Sequence, residues 1–560
     1  MKRGLKGILF SIGLVLCVIV LMSVFACAAP APKATTTPTP TATPTKPAAT
    51  TPTVAPSPTT TAAPKPAPTT ATAAGPKRGG IIKIINVGDS IDNLGVPMVS
   101  VPRSNAVAGL PALDKLFIYD DRGFPTPYLA TGYTWGAGKL SLTINLPKGV
   151  KYHDGTDFNA QSVKWQLDVH RVGPRPELKN VTSIDVVDDY SVRLNLSSFD
   201  TLLLSDIAKS AGSMISPTTF KAKGENWAIT NAVGVGPFKQ TSFERSVGVK
   251  FERFDGYRQA GKPYLDGIQI MLVADATTAK ASFLAGEGQV MMGAVSPVIA
   301  DDLKKTGKYN VISNPSSIVG LAGDSLHPDS PFGNLKVRQA VSAAIDSKAI
   351  CAALGYGFWQ PANQHAYSSL WSYNPNVAGY PFNPQKAKDL LKEAGYATGF
   401  KTKITFTAGT SELLCTAVQR YLKDVGIDAA LDAVTSSKFT LVTSQGWTNG
   451  LVLYSGLVPV GYPPMSTLRR QLSDQSALYV SIIHPKEYQD LLNATLVQPD
   501  EKTMIAMGQE LNKMIIDTYC LINPIYASSL LCVSYPEVKG LRIYDPWWDI
   551  FIPADGWLNK

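Results

Sequence analysis

LSLTINLPKGVKYHDGTDFNAQSVKWQLDVHR, residues 140–171, holds a strand, a turn and a capped helix in one run. Leu140, Leu142, Ile144 and Leu146 alternate with polar neighbours, the two-residue period of a half-buried strand. Pro147-Lys148-Gly149 breaks the pattern, Val150-Lys151-Tyr152 restarts it, and Asp154-Gly155 is a turn dipeptide. Asn159 is placed to cap a helix, because its side-chain oxygen can accept from the unpaired N–H groups of the first turn. Val163, Leu167 and His170 follow at helical spacing.

The same signals recur outward from this stretch. Asn334 can cap a helix carrying Val337, Ala340, Val341, Ala344 and Ile345. Asn383 can cap another, with Pro384 at its first position and Gly395 as its stop. A third runs from Ser411 to Val425 and stops at Gly426, after which Ile427–Leu431 reads as a strand. Helices alternating with strands, without a repeat, imply an α/β fold and exclude solenoids and propellers.

The wording of residues 140–171 resembles that of the extracellular solute-binding proteins of family 5, which supply oligopeptide, dipeptide, nickel and related ABC importers. Other blocks of the family's pattern follow in order. Tyr128-Leu129-Ala130 with Trp135 precedes the motif, and Gly234–Phe238 (GVGPF) and Pro263–Ile268 (PYLDGI) come after it. Ala285-Gly286-Glu287, Val337–Ala340 (VRQA) with Ala344-Ile345-Asp346, Pro384–Gly395 and Val538–Leu541 complete the series. The resemblance implies a periplasmic-binding-protein-like, type II, three-domain fold with two hinged lobes. It places a discontinuous domain I at 77–110, 233–314 and 526–560, domain II at 111–232 and domain III at 315–525.

Lys2, Arg3 and Lys6 precede an apolar run to Ala26, the layout of a secretory signal over residues 1–26. Val24-Phe25-Ala26-Cys27 is similar to a lipobox, making Cys27 the expected lipidation site and membrane anchor; an uncleaved leader is the alternative. Residues 28–76 contain 16 Thr, 13 Pro and 14 Ala, with Val54 the one larger aliphatic residue, so they read as a disordered tether. Extended at ~3.1 Å per residue, it would reach on the order of 150 Å. The bulk of the chain is thus expected outside the cytoplasmic membrane.

Eight of the 52 basic residues lie before Gly79, where there is no acid, leaving 44 basic against 43 acidic residues in the remainder. A near-neutral folded part removes the case for nucleic-acid binding. Of the six cysteines, Cys17 and Cys27 belong to the leader and anchor. Cys520 and Cys532 flank Asn523-Pro524 and Ser528-Ser529, so a hairpin disulfide between them is expected in an oxidising exterior. Cys415, beside the apolar stripe Leu414, Val418, Tyr421, Val425, reads as a buried thiol.

HExxH, GxSxG, GxxxxGK[ST] and GxGxxG are all missing, and the five histidines share no short metal spacing. Neither catalysis, nor a metal, nor a cofactor is expected. In peptide-binding relatives an aspartate shortly after a domain III strand pairs with the peptide's α-ammonium. Here the matching strand, Gly450–Tyr454, runs into SGLVPVGYPP, and no acid occurs from Ala433 through Ser473. A free peptide amine is therefore poorly served, since an unpaired buried ammonium is expensive. Asp324 and Asp92 are the possible substitutes. The expected cleft wall is neutral and aromatic: Trp447, Tyr454, Ser455 and Tyr462, with Trp359 and Tyr526 from neighbouring segments.

These features lead to a monomeric, membrane-tethered substrate-binding protein of an ABC importer. It would take a peptide or peptide-sized organic solute and deliver it to permease subunits. A sensor using the same fold without transport is the alternative.

Overall fold

The computed structural model describes residues 75–560 apart from 89–90, 92, 97–107, 121–122, 174–177, 410, 458–462 and 544–550. Ser141–Asn145 is a strand and Ala160–Val172 a helix. Asn159 accepts from the Ser162 N–H at 3.1 Å while Ser162 Oγ accepts from the Asn159 N–H, satisfying two end groups reciprocally. The helix lays Val163 and Leu167 onto Leu142 and Ile144, all fully buried. Its support is a four-stranded antiparallel sheet in the order Gly132–Trp135, Ser141–Asn145, Ser191–Leu196, Val181–Asp188. Two details differ from the sequence reading. Leu140 is 50% exposed, because the ladder begins only at Ser141. Val150–Tyr152 forms no strand; Lys151 makes a single bridge to Asp157 across the turn.

The three signposted helices are Leu335–Ala344, Pro384–Glu393 and Glu412–Asp424. Asn334 and Asn383 cap the first two through their side chains. Val337, Val341, Leu390, Leu391, Leu414 and Val418 share one core with Ile404, Phe406 and Ile427 of the strands beneath.

Those strands belong to an eleven-stranded mixed sheet. From one edge its path runs Ile427–Val434, Phe400–Thr407, Leu451–Leu457, Asn310–Gly323, Asn523–Ser534, Val290–Gly293, Ile81–Val87, Gly267–Val273, Gly248–Arg253 and Phe238–Glu244, with Gln360–Pro361 paired to Asn523–Ser534. Asn310–Gly323 and Asn523–Ser534 are the long antiparallel pair that joins the two halves. At one end Ser534 and Val533 pair with Val290 and Met291; at the other, Ser317–Gly323 pairs with Leu451–Leu457. Between these ends the ladder slips twice, once between Pro315 and Ile318 and again between Val319 and Gly320. The first lobe therefore carries the strands around Ile81–Val87 together with the four-stranded sheet, and the second carries Phe400–Leu457.

The slip at 315–318 is held by two side chains, Tyr367 and Ser528. Tyr367 Oη accepts from the Ser316 N–H at 2.7 Å and donates to the Ser528 carbonyl. Ser528 Oγ accepts from the Ser317 N–H at 3.1 Å. Backbone groups left over by the bulge thus find partners inside the protein. Gly320 is dictated by the close approach of the two strands, since a Cβ there would lie 2.1 Å from the Asn523 carbonyl oxygen.

The expected Cys520–Cys532 disulfide is corrected: both are free and buried, as are Cys351 and Cys415. Residues 523–534 are one continuous strand rather than a hairpin, so Cys532 sits roughly 30 Å from the strand's start at about 3.3 Å per residue. Burial pushes the Cys520 thiol up to about 11 and the Cys532 and Cys415 thiols up to about 12.

Tyr367→Phe removes the acceptor of the Ser316 N–H in a buried setting and should lower unfolding stability by about 1–3 kcal/mol. Denaturant titration measures this, and an unchanged midpoint would mean the bulge does not depend on the hydroxyl.

Candidate functional site

The lobes meet along a seam beside the strand crossing. On the first-lobe side lies the segment Asp200–Ala211; facing it are the helix Pro463–Gln471 and the chain from Thr495 to Pro499. The Thr201 N–H donates to the Leu496 carbonyl at 2.9 Å, and Thr201 Oγ1 donates to the Thr495 carbonyl at 3.1 Å. Lys139 Nζ reaches the Pro499 carbonyl. Leu202 is fully buried in the second lobe's core, and Ile318, Tyr367 and Ala527 join the first lobe's.

A four-residue charged group crosses this seam. Lys209 Nζ lies 3.4 Å from Asp206 Oδ1 and 3.4 Å from Ser466 Oγ. Arg469 Nη2 approaches Asp206 Oδ2 at 3.9 Å from the opposite lobe. Asp206 is buried, whereas Lys209 and Arg469 keep about a quarter or less of their side chains in solvent.

A second ionic group sits where the chain passes into the four-stranded region. Asp114 accepts from Arg258 Nε at 2.9 Å and Tyr257 Oη at 3.0 Å, and Arg258 stacks over Tyr128 with its guanidinium carbon 4.7 Å from the ring centre. Burial pushes the Asp114 carboxyl above its usual value, with Arg258 pulling the other way. Beside it Lys115, Tyr119, Ala208 and Ile552 line a cavity of about 20 Å³, room for a single water.

The sequence-derived wall residues fall into distinct groups. Ser455 is exposed, and one rung carries Ser455, Val319 and Tyr526 on three adjacent strands. Trp359 stacks on Tyr526 with ring centres 4.0 Å apart and planes 17° from parallel. Tyr454, by contrast, is fully buried: its hydroxyl donates to Gln471 Oε1 at 3.0 Å and shares a bond with His365 Nε2 at 2.9 Å. Trp447 is interior too, its indole N–H donating to the Gly450 carbonyl at 3.1 Å. Asp324 accepts from the Asn449 N–H at 2.8 Å and pairs with His327 Nδ1 at 2.7 Å, so its charge is already used to hold a turn. Tyr462, Asp92 and Cys27 lie outside the described residues. Sequence reasoning missed His365, Gln471 and Tyr479, which fix the strand behind Ser455, and it missed Lys209 and Arg469. Tyr479 Oη accepts from the Ser455 N–H at 3.2 Å, and Gln471 Nε2 donates to the Ser455 carbonyl at 3.3 Å. Among the described residues no three His, Cys, Asp or Glu gather to hold a metal.

Residues 125–477 match the family description "Bacterial extracellular solute-binding proteins, family 5 Middle". The chain belongs to this family. Among family 5 relatives, a glutathione-binding protein GsiB of Salmonella choleraesuis (strain SC-B67) is 32% identical over 321 residues, covering 55% of this chain and 61% of the relative. The chain thus spans about three fifths of the length of the curated relatives it matches. Family 5 architecture extends to solved structures: CtaP of Listeria monocytogenes, an ABC transporter substrate-binding protein, has a TM-score of 0.77 at 20% identity over 86% of this chain and 100% of its own. DppA of Helicobacter pylori in complex with peptide STSA has a TM-score of 0.72 at 22% identity, over 86% of this chain and 99% of its own. At those identities the likeness establishes the two-lobed fold.

Two predictions follow from the wall's support. A Cβ on Gly456 would lie 2.1 Å from His365 Nε2 and 2.7 Å from Tyr454 Oη, so Gly456→Ala should cost about 1–3 kcal/mol by overpacking; a chemical-denaturation midpoint equal to wild type would contradict this. Burial also pushes the His365 and His153 imidazoles down to about 4. Below about 6.5 the unfolded chain binds protons that these folded imidazoles refuse, so stability should fall as pH drops from about 6.5 toward 4. His365→Gln should make that fall shallower in a Tm-against-pH series, and an identical slope would rule out His365 as a contributor.

Proposed function

We propose that the chain is the extracytoplasmic solute-binding component of an ABC importer. It captures a peptide or peptide-sized organic solute between its lobes and presents the closed form to the permease, with no bond chemistry of its own. Membership of family 5 is the observation that carries this reading, and the paired crossing strands are the hinge it requires. Relatives named for glutathione and a structural neighbour holding a peptide support the solute class. In the same reading domain I comprises 77–110, 233–314 and 526–560, domain II 111–232 and domain III 315–525. Cys27 carries the lipid, residues 28–76 form the tether, and the protein acts as a monomer.

Within the crevice, Ser455 and the Trp359–Tyr526 stack are the proposed contacts. Tyr454, Trp447 and Asp324 act behind them, since each has its polar needs met by protein partners.

Native mass spectrometry of the intact protein, released gently from membranes, should find one small organic molecule per chain. Adding that molecule back after exhaustive dialysis should raise Tm; a ligand at 100 times its Kd stabilises by about 2.7 kcal/mol. Empty protein that no peptide, amino-acid conjugate or sugar stabilises would refute the proposal.

A further inference from the structure

We infer that a groove on the first lobe, between helices Ala160–Val172 and Pro217–Lys223, is a second binding site, for a neutral oligosaccharide. This goes beyond solute capture and does not rest on it. The first observation is the opening itself. It encloses about 800 Å³, within the roughly 300–1,000 Å³ typical of small-molecule sites. All its lining comes from 156–172 and 217–221, with no residue of the second lobe. Its two walls are tied together before anything binds. Ser216 Oγ at the cap of one helix and Thr219 Oγ1 inside it donate to Asp154 Oδ2. Just ahead of the other helix, the Thr156 N–H and Oγ1 donate to Asp154 Oδ1 at 3.0 and 2.6 Å.

The second observation is an apolar stripe on which a sugar ring can stack. Trp165, Val169 and Val172 line the groove at helical spacing, so they share one face over roughly 10 Å. Val172 is 73% exposed although it is aliphatic. Trp165 is held from behind: it packs on the first-lobe core and meets Phe220 with ring centres 5.3 Å apart. A fixed indole costs little ordering entropy when a ligand lies on it. The C–H faces of a pyranose are apolar and its rim is hydroxyl, which matches such a stripe flanked by polar groups.

The third observation is which polar groups remain. The carboxylates here are already neutralised, Asp157 by Lys151 at 2.5 Å and Asp168 by Lys164 at 2.6 Å and Arg171 at 3.0 Å. Lys221 keeps its ammonium over the Trp165 ring, 5.7 Å from the centre. Uncommitted among the described residues are the Gln161 amide, the Thr218 hydroxyl and the Asn159 Nδ2 group, whose neighbouring Oδ1 caps the helix. Amides and hydroxyls suit a polyol. With the charges spent within the protein, an ionised ligand gains little over a neutral one.

The test titrates the intact protein with neutral di- to hexasaccharides of glucose, galactose, mannose and N-acetylglucosamine, by calorimetry and amide hydrogen exchange. At least one should bind, with new protection confined to 156–172 and 217–221. Gln161→Arg, at an exposed position, should fill the groove and weaken that sugar at least about tenfold, worth about 1.4 kcal/mol, with Tm unchanged. Thr218→Arg, on the opposite wall and also exposed, should do the same. No binding by any member of the panel would overturn the inference. So would full binding by both variants, or a uronic-acid oligomer binding at least about tenfold more tightly than its neutral counterpart. Protection that falls on the seam at Thr201 and 495–499 instead would refute this site and make the sugar the captured solute, leaving lobe closure intact.

Discussion

The hydrogen-bond ladder between Asn310–Gly323 and Asn523–Ser534 is the constraint on which the rest of the molecule depends. It is the stretch of main chain that both halves of the large sheet share. Because the two strands come from segments about two hundred residues apart, everything in the second lobe is bracketed by one departure and one return. A regular ladder here would lock the halves into a single rigid sheet. Instead the register slips at 315–318 and 319–320, and Tyr367 stitches the loosened backbone groups together. A bulge concentrates twist and bending at one place. In the proposed reading the lobes move about that place without breaking the pairing on either side.

Contacts across the crevice are of another kind. Each lobe has its own apolar core, with Leu202, Ile318, Tyr367 and Leu370 packing into the opposite one. Among the described residues the seam also carries hydrogen bonds from Thr201 and Lys139 and the charged group at Asp206. Net contributions are about 0.5–1.5 kcal/mol for a typical hydrogen bond. In the proposed reading, a closed state held by a handful of such terms would lie within reach of what a bound solute supplies, and occupancy would decide the balance between open and closed.

The sequence made the elements and their order legible because periodicity and caps are local. Asn159, Asn334 and Asn383 cap where their side chains fall just ahead of apolar periodic runs. The hairpin at 520–532 was misread for a physical reason. Asn523-Pro524 and Ser528-Ser529 look like turn residues, but proline is tolerated in a strand beside a bulge, and the serines serve the crossing. Aromatic content likewise gave no direction. A better signal lay in Leu451-Val452-Leu453-Tyr454, an unbroken apolar run, which marks a strand buried on both faces and puts Tyr454 in the core. Lys209 and Arg469 are some 260 residues apart in sequence, and only tertiary packing brings them to one carboxylate.

Amide hydrogen exchange at Thr201 tests the central claim most directly, because its N–H bonds across the crevice to the Leu496 carbonyl. With its natural solute bound, this amide and the peptide around Thr495–Pro499 should be protected. After the solute is removed both should exchange markedly faster, while amides of the crossing ladder, such as Val311 and Ile312, keep their rates. Unchanged protection at Thr201, or equal loss along the ladder, would contradict two lobes closing over a guest about a hinge that stays paired.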